Sequence, residues 1–376
     1  MHIAMVGHKR YGSREGGVEV VVTELARRMS ALGHEVTCYD RGGRDVMTGG
    51  ETAGECVQEG VRVEPVRTVD VRGLAALTSS FFATLRAIRQ RPDVIHYHAE
   101  GPCVPLRIAH WARIRTVATI HGLDWQRAKW GRLASAYIRL GERTAARCAD
   151  EVIVLSKAAQ NYFRETYGRE TVLIPNGVDA CEPLPAREIA DRWGLSGGSY
   201  LLYLGRIVPE KGLHYLLEAY RQLDTNKRLV VAGAASDTSE YMDEVRALAA
   251  GDDRVLFTGF VTGDVLAELY SNAYCYVLPS DVEGMPLSLL EAMSYGCACV
   301  TSDIPECANV LAGTGVTFSR GDTGDLRDAL AGLLDDSARA RELGAAAHER
   351  VTTTYDWDSV VARTLELYRP NQKEVG

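Results

Sequence analysis

Short runs rich in β-branched and aromatic residues alternate with helical patterns along this chain, and half-way along the alternation starts again. In the first half "HIAMVG" leads into "GVEVVVTELARRMSALG" and then "HEVTCYD", followed later by "PDVIHYHA", "RTVATIHG" and "DEVIVLS". After "TVLIPNGVD", the Pro- and Gly-rich stretch "CEPLPAREIADRWGLSGGS" precedes a second set: "YLLYLG", "RLVVAG", "RVLFTG", "YCYVLP" and "CACVTS". Such a rhythm builds parallel sheets with helices on both faces. The expected fold is therefore α/β, with two doubly wound domains at residues 1–178 and 179–355, joined near 179–198. The last pattern, "YDWDSVVARTLELYRP", is amphipathic, and a helix at about 356–370 is expected to pack back on the first domain to bury its apolar face. Ligands of such sheets bind beyond the carboxyl ends of the strands. With two domains facing across a cleft, that cleft is the default site.

The chain has 376 residues, 46% of them hydrophobic and 24% charged, enough for two domains with their own cores. No apolar run approaches the roughly 20 residues of a spanning helix, and none follows a basic start at the N-terminus. A cytoplasmic location is expected. The nine cysteines are scattered without a Cys-x-x-Cys pair, so reduced thiols are expected rather than disulfides or a zinc site. Charge is unevenly spread: residues 1–178 carry 25 Lys+Arg against 19 Asp+Glu, and residues 179–376 carry 17 against 31. A balance of +6 without a reading motif does not suit a nucleic-acid binder.

Several loops carry residues suited to an anionic ligand. Ten residues, "HKRYGSREGG", separate the first strand from the helix near Val18, which is not the G-x-G-x-x-G spacing of a dinucleotide loop. Gly16 and Gly17 stand at that helix entrance, where backbone N–H groups can approach an anion, and Lys9, Arg10 and Arg14 make the loop basic. Asp40, at the end of "HEVTCYD", is placed either to hold a ribose or simply to make a turn. In "YLGRIVPEKG", Arg206 follows a strand and Lys211 precedes a helix near Leu213, a good arrangement for a diphosphate. "EGMPLSLLE" puts Glu283 and Glu291 eight positions apart, about 12 Å along a helix, too far to grip one atom but suited to the two ends of one long ligand. Pro286 fits the first helical position there, and Met285 has no side-chain oxygen to cap it, leaving amide N–H groups for an outside anion. His121 ends a strand and precedes Gly122, which favours a site position over a core one. His96 and His98, inside "VIHYHA", read as structural. No His, Asp or Glu group has metal-ligand spacing, and "GDD" at 251–253 reads as a solvated turn.

The segments "REGGVE", "TIHG", "VLIPNGVD", "LGRIVPEKG", "FTGFV" and "EGMPLSLLE" together resemble, over nearly the whole chain, the GT-B glycosyltransferases of family 4, also called glycosyltransferase group 1. The resemblance implies two Rossmann-like domains, an acceptor-binding first and a nucleotide-sugar-binding second. It implies transfer with retention of configuration, without a metal or resident cofactor. Arg206 and Lys211 would neutralise the donor's diphosphate, with Gly16, Gly17, Gly284, Met285 and Leu287 as backbone neighbours. Glu291 would take the ribose hydroxyls, Val261 would line the base pocket, and Glu283 and His121 would meet the transferred sugar. The opening "GHKRYGSREGGVEVVV" looks like that of bacterial rhamnosyltransferases for capsule or cell-wall polysaccharides, which makes a dTDP- or UDP-linked donor and a glycan or polyprenyl-diphosphate-linked acceptor the expectation. Residues 104–147 hold nine Lys+Arg against two Asp+Glu with Trp111, Trp125, Trp130 and Tyr137 interleaved. That suits docking to an anionic membrane surface on its inner face, or equally a solvated helix over core tryptophans. The alternatives are a sugar-nucleotide epimerase or phosphorylase, a dinucleotide-dependent oxidoreductase centred on Asp40, and a noncatalytic carbohydrate-binding subunit.

Overall fold

The computed structural model describes residues 1–43, 54–69, 74–123, 125, 131–235 and 239–369. The chain divides into two compact units, Met1–Asn176 with Trp357–Gly376, and Gly177–Asp356. The two chain crossings therefore fall at 176/177 and 356/357 rather than at 178 and 355. The reason is local: Val178 donates its N–H to the Tyr355 carbonyl at 2.7 Å and forms a bridge with Asp356, so both segments belong to the second unit.

The first unit is built on an eight-stranded sheet. Its strands are β1 (His2–Val6), β2 (Glu35–Arg41), β3 (Cys56–Gln58), β4 (Val61–Val66), β5 (Val94–His98), β6 (Arg115–Ile120), β7 (Glu151–Val154) and β8 (Val172–Leu173), in the order β3-β4-β2-β1-β5-β6-β7-β8. Every pairing is parallel except that of β3 with β4 at the edge. Ile3 to Val6 and the whole of β5 are buried, as expected of central parallel strands covered on both faces. Helix Trp357–Leu367 belongs to this unit: Arg28 pairs with Asp358 at 3.0 Å, and Arg115 and Arg363 donate to the carbonyls of Leu367 and Leu173.

The second unit carries a wholly parallel six-stranded sheet. Its strands are β9 (Tyr200–Leu204), β10 (Arg228–Ala232), β11 (Val255–Gly259), β12 (Cys275–Leu278), β13 (Ala298–Ser302) and β14 (Val316–Phe318), ordered β11-β10-β9-β12-β13-β14. Counted within the unit this is 3-2-1-4-5-6, the doubly wound order whose direction reverses between its first and fourth strands. Leu201, Tyr203, Val231, Val277 and Val300 pack with Leu213, Leu216 and Leu217 of helix Leu213–Arg221 on one face.

The stretch read as a linker is not one. Residues 188–193 form a helix, and the buried Glu268 carboxylate accepts the N–H groups of Arg187 and Ile189 at 2.9 and 3.1 Å. Ser271 and Asn272 bind the backbone of Leu184. Its Pro and Gly content marks turns, while the buried Glu268 acceptor and the Ser271 and Asn272 side chains fasten it to the second unit.

Candidate active site

In the second unit the loops after β9 and β12 leave the sheet on either side of the point where strand order reverses, which opens a crevice between them. The first loop carries Arg206 and Lys211, the second Glu283. They are held close by Gly212, whose φ of 65° lies in the left-handed region. A Cβ there would stand 1.9 Å from the Pro279 carbonyl oxygen, so only glycine lets the loops touch. The Asp281 N–H also donates to the Glu210 carbonyl at 2.9 Å. Tyr203 fixes the Arg206 carbonyl through its hydroxyl at 3.1 Å. The Arg206 side chain is half-buried, without a hydrogen-bonded or ion-paired partner among the described residues.

Lys211 Nζ meets Glu283 Oε1 at 2.5 Å, in a pair whose side chains are 15% and 8% exposed. Ser280 Oγ donates to the same oxygen at 2.7 Å. Glu306 lies in the first turn of helix Pro305–Leu311, which follows β13. Burial, with the Glu283 charge adding to it, holds its carboxyl above the ordinary range. Burial likewise pushes the Cys307 thiol far up, the Glu283 charge adding and Lys211 opposing.

The two glutamates do not lie on one helix. Helix Leu287–Ser294 begins after Glu283, with Pro286 as its N-cap residue rather than its first helical one. The 12 Å helical rise therefore does not measure their separation: Glu283 sits in the loop and Glu291 in the second turn. No side chain caps this helix, so its first N–H groups have no side-chain acceptor at its start. Leu287 is its first residue. Tyr270, stacked on Tyr295, donates to Glu291 Oε2 at 3.0 Å and to the Ser288 carbonyl at 3.3 Å. Val261 lies between β11 and helix Gly263–Asn272, where with Phe260, Thr262, Glu188 and Arg192 it lines a shallow surface pocket that includes none of Arg206, Lys211, Glu283 or Glu291.

In the first unit, Gly17 opens helix Gly17–Ala31 and Gly16 is its extended N-cap. The anion at this helix start is the chain's own: the buried Glu19 carboxylate accepts the Lys9 N–H at 2.9 Å, and a Cβ on Gly16 would lie 2.5 Å from Glu19 Oε2. Asp40 does not offer itself to a ribose. It is 3% exposed, and its Oδ1 already accepts from His8 Nε2 at 3.0 Å and from the Tyr11 N–H at 2.9 Å. His121 is half-buried at the end of β6, with Nε2 3.1 Å from His98 Nδ1. His98 and His96 are fully buried, and His96 is bonded to Thr119 and Tyr368. Burial, reinforced by the neighbouring histidines, depresses both, His96 to about 3 and His98 well below its usual value.

The indoles of the basic stretch separate. Trp111 is 72% exposed. Trp125 instead donates to the buried Glu142 at 3.2 Å and lies under the Arg139 guanidinium, while Tyr137 is half-buried against Gly101. Trp130 lies outside the described residues. Among the described residues no helix is long and apolar enough to cross a membrane, and no three His, Cys, Asp or Glu side chains group to hold a metal.

Reading by motif missed Ser280, Ser302, Tyr270 and Glu306. Ser280, Ser302 and Glu306 stand at or just beyond the carboxyl ends of β12 and β13, a placement that would have singled them out.

Residues 15–181 match the model of Glycosyltransferase Family 4 and residues 198–336 that of Glycosyl transferases group 1. The glycogen synthase of Mycobacterium tuberculosis is 30% identical over 403 residues, covering 98% of this chain and 94% of that relative. Two solved structures superpose with a TM-score of 0.80. One is a sucrose-phosphate synthase from Thermosynechococcus elongatus, at 23% identity and 98% coverage of both chains. The other is Anabaena Alr3699/HepE in complex with UDP and glucose, at 19% identity and coverage of 97% of this chain and 98% of that one. The two sheets make up the GT-B fold, and the chain belongs to the family 4, group 1 glycosyltransferases.

Proposed function

We propose that the protein is a retaining glycosyltransferase that moves a hexose or deoxyhexose from a nucleoside-diphosphate sugar to a sugar or lipid-linked acceptor, in the synthesis of bacterial cell-surface polysaccharide. The observation that carries the donor half is the pairing of Lys211 with Glu283 at the reversal point of the second sheet, with Arg206 on the same loop as Lys211. Departure of a nucleoside diphosphate develops negative charge. Two cations and an uncapped helix N-terminus stabilise such charge as it forms, the part a divalent ion plays in metal-dependent transferases. The Gly284, Met285 and Leu287 backbone would add N–H donors to the diphosphate, Glu291 would accept from the ribose, and Val261 would meet the base through its backbone. Glu283 and His121 would contact the transferred sugar.

A glycogen synthase relative and a neighbour solved with UDP and glucose favour a hexose donor linked to UDP. The dTDP-rhamnose reading rests on the opening segment alone. On the acceptor side, helix Arg132–Cys148 exposes Arg132, Leu133, Arg139, Leu140, Arg143 and Arg147, with Leu133 90% exposed. Cations beside exposed apolar side chains suit an anionic bilayer surface, where a polyprenyl-diphosphate-linked acceptor would be met. Flotation with anionic liposomes at low salt tests this, and absence of binding there removes the membrane from the proposal.

The transfer reading is tested by incubating the protein with UDP-glucose, dTDP-rhamnose, GDP-mannose and ADP-glucose over a set of glycan acceptors. Diphosphate release and the anomeric configuration of the product, read by NMR, are the measurements. The expected result is acceptor-dependent release with the donor's configuration kept. An inverted product removes retention, and release of an epimer without acceptor replaces transfer with epimerisation.

A further inference from the structure

We propose that Ser280 is a positioning residue that dedicates one oxygen of Glu283 to the protein and so turns the other toward the sugar of the donor. The inference rests on the donor reading above. Ser280 is fully buried, two residues beyond β12, and its hydroxyl donates to Glu283 Oε1 at 2.7 Å. Lys211 Nζ reaches the same oxygen at 2.5 Å. A serine hydroxyl has a single proton to give, and a carboxylate has two oxygens that accept alike. Two donors converging on Oε1 therefore make the oxygens inequivalent: Oε1 is committed to the protein, and among the described residues no hydrogen bond falls on Oε2.

Lys211 alone would not achieve this. The last torsion of a glutamate is broad and roughly two-fold, so either oxygen could serve one flexible ammonium. Ser280 cannot follow such a rotation, because its backbone is pinned from the neighbouring strand. Ser302, fully buried at the end of β13, donates through Oγ to the Ser280 carbonyl at 2.5 Å. A line of hydrogen bonds thus runs from β13 through Ser302 and Ser280 to Glu283.

The test compares two affinities in wild type, Ser280→Ala and Ser280→Thr: that for a nucleoside diphosphate, and that for the same diphosphate carrying its sugar. The pairs are UDP with UDP-glucose, dTDP with dTDP-rhamnose, GDP with GDP-mannose, and ADP with ADP-glucose. Ser280→Ala is expected to keep the diphosphate Kd within about twofold and to weaken the intact sugar nucleotide about tenfold, the low end for a hydrogen bond to a charged group. Ser280→Thr, which keeps the hydroxyl, is expected to restore most of the loss. Ser302→Ala should shift the sugar nucleotide in the same direction by less. If Ser280→Ala binds both ligands as wild type does, the proposal is overturned and the donor reading stands. Equal loss for both ligands also overturns it, because that is a general loosening of the crevice. If no pair binds the wild type, the donor reading fails and this proposal with it.

Discussion

Replacing Lys211 with methionine should damage the protein in two separable ways. The ammonium is the cation that meets Glu283, whose side chain is only 8% exposed. Without it a largely buried carboxylate keeps Ser280 as its remaining hydrogen-bond donor among the described residues. Breaking such a pair from one side leaves an uncompensated charge, at a cost of about 3 kcal/mol, the lower end for buried pairs because this one lies at a crevice. For a unit of this size each kcal/mol moves Tm by about 2–4 °C, so the expected fall is roughly 6–12 °C. Adding Glu283→Gln to Lys211→Met removes the orphaned charge and keeps an acceptor for Ser280. The double variant should regain most of the lost stability, while neither variant recovers diphosphate binding. Thermal unfolding of the four proteins of the cycle, followed by circular dichroism, yields the coupling between the two residues. A single variant as stable as wild type, or a double variant no more stable than Lys211→Met, would refute the reasoning.

Acidification should destabilise the first unit through its buried histidines. The folded-state pKa of His96, about 3, lies below its unfolded value of about 6.5, so between those values the unfolded chain binds more protons. Stability should thus fall as pH drops from about 6.5 toward about 3, and His96→Gln should flatten that slope in urea titrations, leaving the share due to His98. Gly212→Ala meets both a φ of 65° and the Pro279 carbonyl, whereas Gly251→Ala, at φ 83°, has nothing within 4 Å of the new Cβ. Gly251→Ala should cost about 1–2 kcal/mol of left-handed strain, and Gly212→Ala distinctly more in the same denaturation assay. Tyr270→Phe removes the hydroxyl that serves Glu291 and Ser288 and should lower the unfolding free energy by about 1–2 kcal/mol.

The central strands were legible as short β-rich runs: "IAMV" and "VIHYH" are buried along most or all of their length. The elements that escaped reading are short. β8 has two residues and β3 and β14 three each, too few to show a period. Proline and glycine at 179–198 suggested a joint, while Glu268, 70 or more residues later, fastens that segment to the second unit. Arg206, Lys211 and Glu283 were visible as residue types at strand ends. The direct contact of Lys211 with Glu283 depends on the strand order β9-β12, a long-range pairing that local pattern does not reveal. Glu283 and Glu291 were read as a pair, but their spacing was measured on a helix that starts only at Leu287. Asp40 looked available because the partners that occupy it, His8 and Tyr11, lie some 30 residues upstream.

The central claim is that the reversal point of the second sheet binds a nucleoside diphosphate through Arg206 and Lys211. Calorimetric titration of UDP, dTDP, GDP, ADP, CMP and NAD into wild type and Arg206→Ala tests it most directly. The account expects one nucleoside diphosphate to bind the wild type and Arg206→Ala to bind it at least about tenfold more weakly, as loss of a charge-assisted contact requires. Binding of NAD alone, or of a nucleoside diphosphate with equal affinity to both proteins, would contradict it.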